Sequence, residues 1–329
     1  MSRTYLDHNA TTPLRVEARA AMVAAMDVVG NPSSVHAEGR SAKMLVERAR
    51  AQVAELVGCK PQQVIFTSSA TEAAALAVAQ KDRHGGVFTA LPTEHDCLGV
   101  WSERDLVAGQ EVGLVAISAA NSETGLMADD ARVVGSGAGY STQMAGKLPV
   151  IYGDVTPSYA ILSAHKFGGP KGVGALINFT ADDPAPMLRG GGQEMNRRSG
   201  TENVIGIAGF GAAAEAAGAD VAAGKWEEVA YFRNILEKTI AAASKQTIFV
   251  GKESVRLPNT SCMLTPGWKG ETQVMQMDLA GFAVSAGSAC SSGKVKASKV
   301  LLAMGYDEAE AASAIRVSLG LGTTENDVL

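Results

Sequence analysis

The sequence predicts an α/β protein built around a mainly parallel sheet, and three features predict it. A helical apolar repeat over 39–57 is followed by a short buried strand. That strand passes through a turn of small residues into a second helix by residue 80. A further apolar strand end at 160–163 runs into a Gly/Pro turn. Strands that alternate with helices in this way pack as a sheet covered by helical layers.

Each element has its own justification. Between Gly39 and Val57, the residues Ala42, Leu45, Val46, Ala49, Val53, Leu56 and Val57 recur at steps of three and four, and Gly58 suits the stop. Val64-Ile65-Phe66 reads as a short buried strand, and the alanine-rich run 73–80 as a helix. Between them, in Thr67-Ser68-Ser69-Ala70-Thr71-Glu72, Ser69 and Glu72 have capping-box spacing. A strand, a small-residue turn and a helix N-terminus bind anions, because N–H groups and the helix dipole converge there; an ordinary capped helix has the same pattern. Ala160-Ile161-Leu162-Ser163 reads as a strand end before Ala164–Gly174. Over Ala314–Leu319, Ile315, Val317 and Leu319 share one face, with Arg316 and Ser318 on the other.

Composition narrows the function classes. The 329 residues suffice for about two domains. A net charge of −5 removes the basic footprint of a nucleic-acid or anionic-lipid binder. No continuous apolar run reaches the roughly 18 residues of a membrane span, and MSRTYLDHNATTPL lacks the apolar core of a signal peptide. A cytoplasmic location is therefore expected. Cys59, Cys97, Cys262 and Cys290 lie far apart without a CxxC pair, which disfavours a zinc knuckle or a disulfide framework. No metal site is expected.

Two residues carry chemistry. Lysine ordinarily lies on a solvated face, yet Lys166 falls between small residues and a Gly/Pro turn, beside Ser163 and His165. A partly desolvated lysine loses its proton more readily and attacks carbonyls. Pyridoxal 5′-phosphate (PLP) is the obvious partner, its phosphate in the Ser69–Thr71 turn with Ser163 and His165 as further donors. Cys290 lies in SAGSACSSG, residues 285–293. A lone cysteine is more often buried than reactive, but a loop of small residues suits a thiol that must be reached and must move.

The chain resembles the cysteine desulfurases of the NifS/IscS type, in the class V aminotransferase group of fold-type I PLP enzymes. The resemblance rests on YLDHNATTPL (5–14), GNPSSVHAEGR (30–40), FTSSATEA (66–73), TEH (93–95), NSETG (121–125), SAHKFGGPKGVG (163–174), GGGQEMNRRSGTEN (190–203), SAGSACSSGKVKAS (285–298) and IRVSLG (315–320), in this order. It implies a large PLP-binding domain over 13–205 with a mainly parallel sheet. It also implies a smaller α+β domain of 1–12 and 206–329 that carries the cysteine loop.

It implies residue roles as well. Lys166 would carry the cofactor and move protons. His95 would stack on the ring and serve as an acid/base group. Ala70, Thr71, Ser163 and His165 would hold the phosphate, and Thr201 would reach the phosphate of a partner subunit, making a homodimer. Gln143 would hydrogen-bond the ring hydroxyl. Arg316 would clamp the substrate carboxylate, with Asn31 approaching the substrate. Cys290 would take sulfur from L-cysteine as a persulfide, leaving L-alanine. The sulfur would pass to an acceptor such as an iron–sulfur scaffold, or into tRNA thiolation. Cys59, Cys97 and Cys262 match no catalytic position and read as packing residues.

The chain departs from the family's pattern in one region. Tyr140 stands where the family has the aspartate that pairs with the pyridine nitrogen, and a phenol with an ordinary pKa near 10 does not replace a carboxylate. Ser122 stands at a cofactor-facing asparagine. Ala74 and Ala75 replace two asparagines after the phosphate turn. Only 27 positions separate His95 from Ser122, and 18 separate Ser122 from Tyr140, so part of 80–140 reads as trimmed. These departures leave open an impaired paralogue that acts by binding, or a related lyase acting on selenocysteine or cystine.

Overall fold

The structure, a computed structural model, describes residues 3–103, 112–128, 137–140 (backbone), 143–150, 156–287 and 297–329. In chain order the described elements begin with β1 (Thr4–Tyr5), α1 (Val16–Met26), α2 (Ala37–Leu56), β2 (Val64–Thr67) and α3 (Ala70–Val78). Next come β3 (Phe88–Ala90), α4 (Asp96–Gly99), β4 (Leu114–Ser118), β5 (Gly137–Tyr140), β6 (Tyr159–Ser163), β7 (Gly174–Asn178) and α5 (Val204–Ala222). The remainder holds α6 (Trp226–Ala243), β8 (Ile248–Phe249), β9 (Thr260–Leu264), α7 (Gly270–Leu279), β10 (Phe282–Ala283) and β11 (Ser285–Ala286). It ends with α8 (Lys299–Ala303), α9 (Glu308–Ala312), β12 (Ala314–Ser318) and α10 (Glu325–Val328).

The chain divides into two units. The larger comprises Pro13–Ala119 and Ala128–Ala222, the smaller Met1–Thr12, Ala120–Met127 and Ala223–Leu329. Two boundaries differ from the expected 13–205 and 206–329, for physical reasons. The helix α5 packs along α1 and α2 and so stays with the larger unit. Residues 120–127 join the smaller unit because Gly125 accepts from the Leu257 amide and Leu126 bridges Arg256.

The larger unit contains a sheet in the order β2-β7-β6-β5-β4-β3. The strands β3 to β6 run parallel, and β7 runs against both of its neighbours, β2 and β6. The expected mainly parallel α/β architecture is thus present. Alternation sends successive strand residues to opposite faces. Phe66, Leu162 and Ile177 pack with Val46, Val53 and Phe210 of α2 and α5, whereas Ile65, Ile161 and Leu176 pack with Leu76, Leu98 and Phe88. The sheet is buried on both faces, as apolar strand runs require.

Helix α2 spans 37–56, close to the expected 39–57, and ends at Gly58 in the left-handed region (φ 66°). Helix α3 starts at Ala70, three residues before the expected 73, because Ser69 already caps it. Helix α5 is long and apolar enough by length and composition to cross a bilayer, although Glu215 and Asp220 interrupt its apolar run, so the expectation of no continuous apolar span stands. In the fold it is a core helix. A Cβ on Gly211 would lie 2.5 Å from Ala49 Cα, so the glycine is what lets α5 approach α2.

The smaller unit has an antiparallel sheet, β11-β12-β9-β8, and a parallel pair of β1 with β10. Its core gathers Val250, Cys262, Leu264, Leu301, Ala311 and Ala314.

Candidate active site

Two groups of matched residues are built separately, one in each unit. In the larger unit the group forms at the C-terminal ends of the sheet strands, where open α/β sheets bind ligands. Gly174, at the start of β7, sits opposite Thr67 of β2 on one side and Ser163 of β6 on the other. A Cβ on Gly174 would meet Ser69 C at 2.5 Å, Ala70 N at 2.7 Å and Leu162 O at 2.8 Å. Glycine there lets the turn that opens α3 fold against the end of β6. The same register therefore brings Ala70, Thr71, Ser163, His165 and Lys166 to one end of the sheet.

The turn has the donors an anion needs. Ser69 Oγ accepts from Glu72 N (3.2 Å), half of the expected capping box. The Glu72 carboxylate does not return to Ser69; it accepts from Ser68 N (2.8 Å) and pairs with Arg198 (2.8 Å). As the first two residues of a nine-residue helix, Ala70 and Thr71 present N–H groups with no intrahelical acceptor. The Thr71 side chain is exposed. His165, partly buried and beside Lys166 and Lys171, has its pKa lowered to about 4, chiefly by burial. It is neutral at physiological pH. The half-buried Lys166 lies in a 3₁₀ turn that ends at Gly168 in the left-handed region (φ 89°). There Arg15 Nε donates to Phe167 O (2.8 Å).

His95 is held at the next strand ends. Its Nδ1 accepts from Cys97 N (3.1 Å) and caps α4, so the neutral ring carries its proton on Nε2. The neighbouring Glu94 is buried, accepts from Ser118 N (2.8 Å) and from the Ser118 hydroxyl, and so ties the TEH turn to the end of β4. Burial raises the Glu94 pKa. Tyr140 ends β5 opposite Ser118; its side chain lies outside the described residues. Gln143 is buried, and its Oε1 accepts from Lys147 Nζ (3.2 Å).

Thr201 is exposed and lines a cavity of about 180 Å³ with Thr67, Ser68 and Gly172 of its own chain. Its segment is anchored through Glu194. Glu194, Met195 and Asn196 have φ of 48°, 58° and 67°, a run that costs non-glycine residues roughly 1–2 kcal/mol each. The buried Glu194 carboxylate accepts from both Arg50 terminal nitrogens (2.7 Å each) and from Phe66 N (2.9 Å), which holds the run against β2. Asn31 forms a local turn, with Oδ1 accepting from Ser33 N (2.9 Å). Neither cavity that holds the matched segments counts Asn31 in its lining.

In the smaller unit Arg316 projects from β12. Its Nη1 donates to the Ser122 carbonyl (2.9 Å) and its Nη2 to Asp7 Oδ1 (2.8 Å), while its buried Nε has no partner among the described residues. Ser122 thus contributes its main-chain oxygen, a contact the exchange from asparagine leaves in place. Asn121 builds this turn, its Oδ1 accepting from Glu123 N and Thr124 N (2.9 Å each). Glu123 is buried, which pushes its carboxyl up to about 7 against the opposing pull of Ser298, Arg316 and Lys299. Its Oε1 lies where a Cβ on Gly287 would come within 2.5 Å. Gly287 and Ala297 flank residues 288–296, so Cys290 lies outside the described residues. Cys262 and Cys97 are buried, and the Cys59 thiol is pushed up to about 12 by burial; all three are the packing residues expected.

Sequence reasoning missed Asp7, Glu94, Glu123, Lys147 and Glu194. Four of them stand inside matched motifs, but their roles are contacts to distant residues, which adjacency in sequence does not display; Lys147 lies outside those motifs, and its bond to Gln143 four positions away exists only once the turn is folded. Among the described residues no cluster suits a metal ion.

The Aminotransferase class-V family model matches residues 4–104 and 81–329. A cysteine desulfurase of Frankia sp. (strain EuIK1) is 36% identical over 381 aligned positions, covering 98% of this chain and 88% of the relative. One from Cereibacter sphaeroides is 37% identical, covering 100% and 93%. The solved structure of a NifS-like protein from Rickettsia africae ESF-5 superposes with a TM-score of 0.87 at 31% identity, covering 99% and 96%. The overlap of the two family matches at 81–104, and an alignment longer than the chain, agree with a trimmed stretch inside 80–140.

Proposed function

We propose one chemistry for this chain, which belongs to the class V aminotransferase family: it is a PLP-dependent cysteine desulfurase that converts L-cysteine to L-alanine and takes the sulfur onto its own thiol. The observation that carries this reading is the register at Gly174. It sets Lys166, Ser163 and the start of α3 at one strand end, with no room for a side chain between them.

The residues present fit the cofactor. Ala70 N–H, Thr71, Ser163 and neutral His165 make a donor set for a phosphate at a helix N-terminus. Lys166 supplies the amine. When bound, the pyridoxal ring supplies an electron sink for bonds at the substrate α-carbon.

The other roles belong to this chain's own atoms. Arg316 holds the substrate carboxylate with a guanidinium fork that Asp7 and the Ser122 carbonyl keep in place. His95, its Nδ1 accepting from the Cys97 amide, presents its Nε2–H as a hydrogen-bond donor; the acid/base role that the resemblance implies requires that hydrogen bond to the amide to open. Lys166 moves protons at the reacting carbon. The Cys290 thiolate takes the sulfur atom and becomes a persulfide. The sulfur then passes to an acceptor protein of the iron–sulfur scaffold kind or into tRNA thiolation. The working form is a cytoplasmic homodimer, in which Thr201 serves the partner's phosphate.

The test is direct. Purified protein with PLP should show a visible absorption band and, given L-cysteine and a reductant, release sulfide and alanine in equal amounts. Protein that stays colourless sinks the enzyme reading. Cys290→Ala should keep the colour and lose sulfide release; surviving turnover would remove the persulfide role. Tyr140→Asp should raise turnover several-fold by restoring a carboxylate at the end of β5. Unchanged turnover would show that the ring nitrogen is served otherwise.

A further inference from the structure

Lys147 lies inside the fold, with 2% of its surface exposed. Lysine is almost never that buried unless its charge is paired or hydrogen-bonded. Its Nζ donates twice to one residue, to the Gln143 main-chain oxygen (3.1 Å) and to Gln143 Oε1 (3.2 Å). The turn that makes this possible closes on Gly146 (φ 75°), where a Cβ would lie 2.9 Å from the Cβ atoms of Ala217 and Phe167. Phe167 is the residue after Lys166, so the Gln143–Lys147 turn packs directly beneath the lysine turn.

An ammonium has three donors and no acceptor. It can meet only the oxygen of an amide, so it removes the ambiguity of which way the Gln143 amide faces. With Oε1 committed to Lys147, what Gln143 has to give elsewhere is its NH2. We propose that Lys147 is a positioning residue that locks the Gln143 amide with its N–H groups toward the ring oxygen of the bound cofactor, stabilising that oxygen as an anion. The inference rests on the PLP-dependent function above. It makes the cation act at one remove: the charge orients the amide, and the amide meets the ring.

The experiment reads the pH midpoint of the cofactor's visible absorption in the PLP-loaded protein, with the melting temperature measured alongside. Lys147→Met and Gln143→Leu should move the midpoint in the same direction, each by about one pH unit, as expected when a hydrogen bond to the charged form is lost. The double variant should move no further than the larger single shift. Gln143→Glu guards against a Lys147 variant that fails to fold. A carboxylate keeps, and strengthens, the pairing with Lys147, but has no N–H to offer. It should therefore melt no lower than wild type and still shift the midpoint. An unchanged midpoint in Lys147→Met or in Gln143→Glu, or additive shifts in the double variant, overturns the proposal. A wild type that takes up no PLP overturns the function itself, and this inference with it. A wild type that takes it up while the variants match it overturns this inference alone.

Discussion

Glu123 shows what a single buried side chain can report. Its carboxyl is held near 7, well above the ordinary range near 4, because burial disfavours the charged form. A group whose folded pKa is raised contributes stability that is present below its unfolded pKa and lost as pH climbs through the folded one. Wild type should therefore lose stability between about pH 5 and pH 8, by at most about 3 kcal/mol from this residue. Glu123→Gln, which cannot ionise, should flatten that slope in denaturant titrations; an unchanged slope would show that the carboxyl is not perturbed. The same scale separates what motifs disclose from what they hide. Lys166, His95 and Arg316 are legible because their residue types are few and their neighbours in sequence are telling. Asp7 is not, because its role is a bond to Arg316, 309 positions away.

At the scale of elements, the strand-turn-helix over 64–78 and the long helix α2 were legible from local pattern, since apolar period and capping act over a few residues. The alanine run sets the expected start of α3 at 73, three residues past the observed Ala70, because it hides where the cap begins. The meeting of α3 with β6 could not be read at all, because it depends on the missing side chain of Gly174 between them. Gly174→Ala should push Ser69 and Ala70 away from Ser163. We expect a stability loss of about 1–3 kcal/mol, typical of overpacking, and PLP affinity at least about tenfold weaker by titration of the apoprotein. A variant that binds PLP as wild type does would remove this register from the account of the site.

For the whole molecule, the proposed homodimer makes a complementation test possible. Lys166→Ala and Thr201→Ala should each be inactive or nearly so alone. If Thr201 serves the partner's phosphate, a mixed dimer holds one intact site, with lysine from one subunit and threonine from the other. Co-refolding the two variants in equal amounts should then recover sulfide release to roughly a quarter of wild type: about half the dimers are mixed, each with one working site of two. No recovery, with dimers present by sedimentation, would place Thr201 on its own subunit's cofactor.

By itself the sequence determined the α/β class, the family, and the chemical groups that family chemistry needs. Helical period, strand runs, turn glycines and reactive side chains are all written locally. The tertiary structure alone decided how those groups are held. It buries α5, apolar enough to cross a bilayer, against α1 and α2. It gives Arg316 a carboxylate and a carbonyl as tethers, and it sets Lys147 on the Gln143 amide. The reason is common to all three. Burial and long-range hydrogen bonds exist only once distant segments meet, and the free energy of a charge or an apolar face depends on what it then touches.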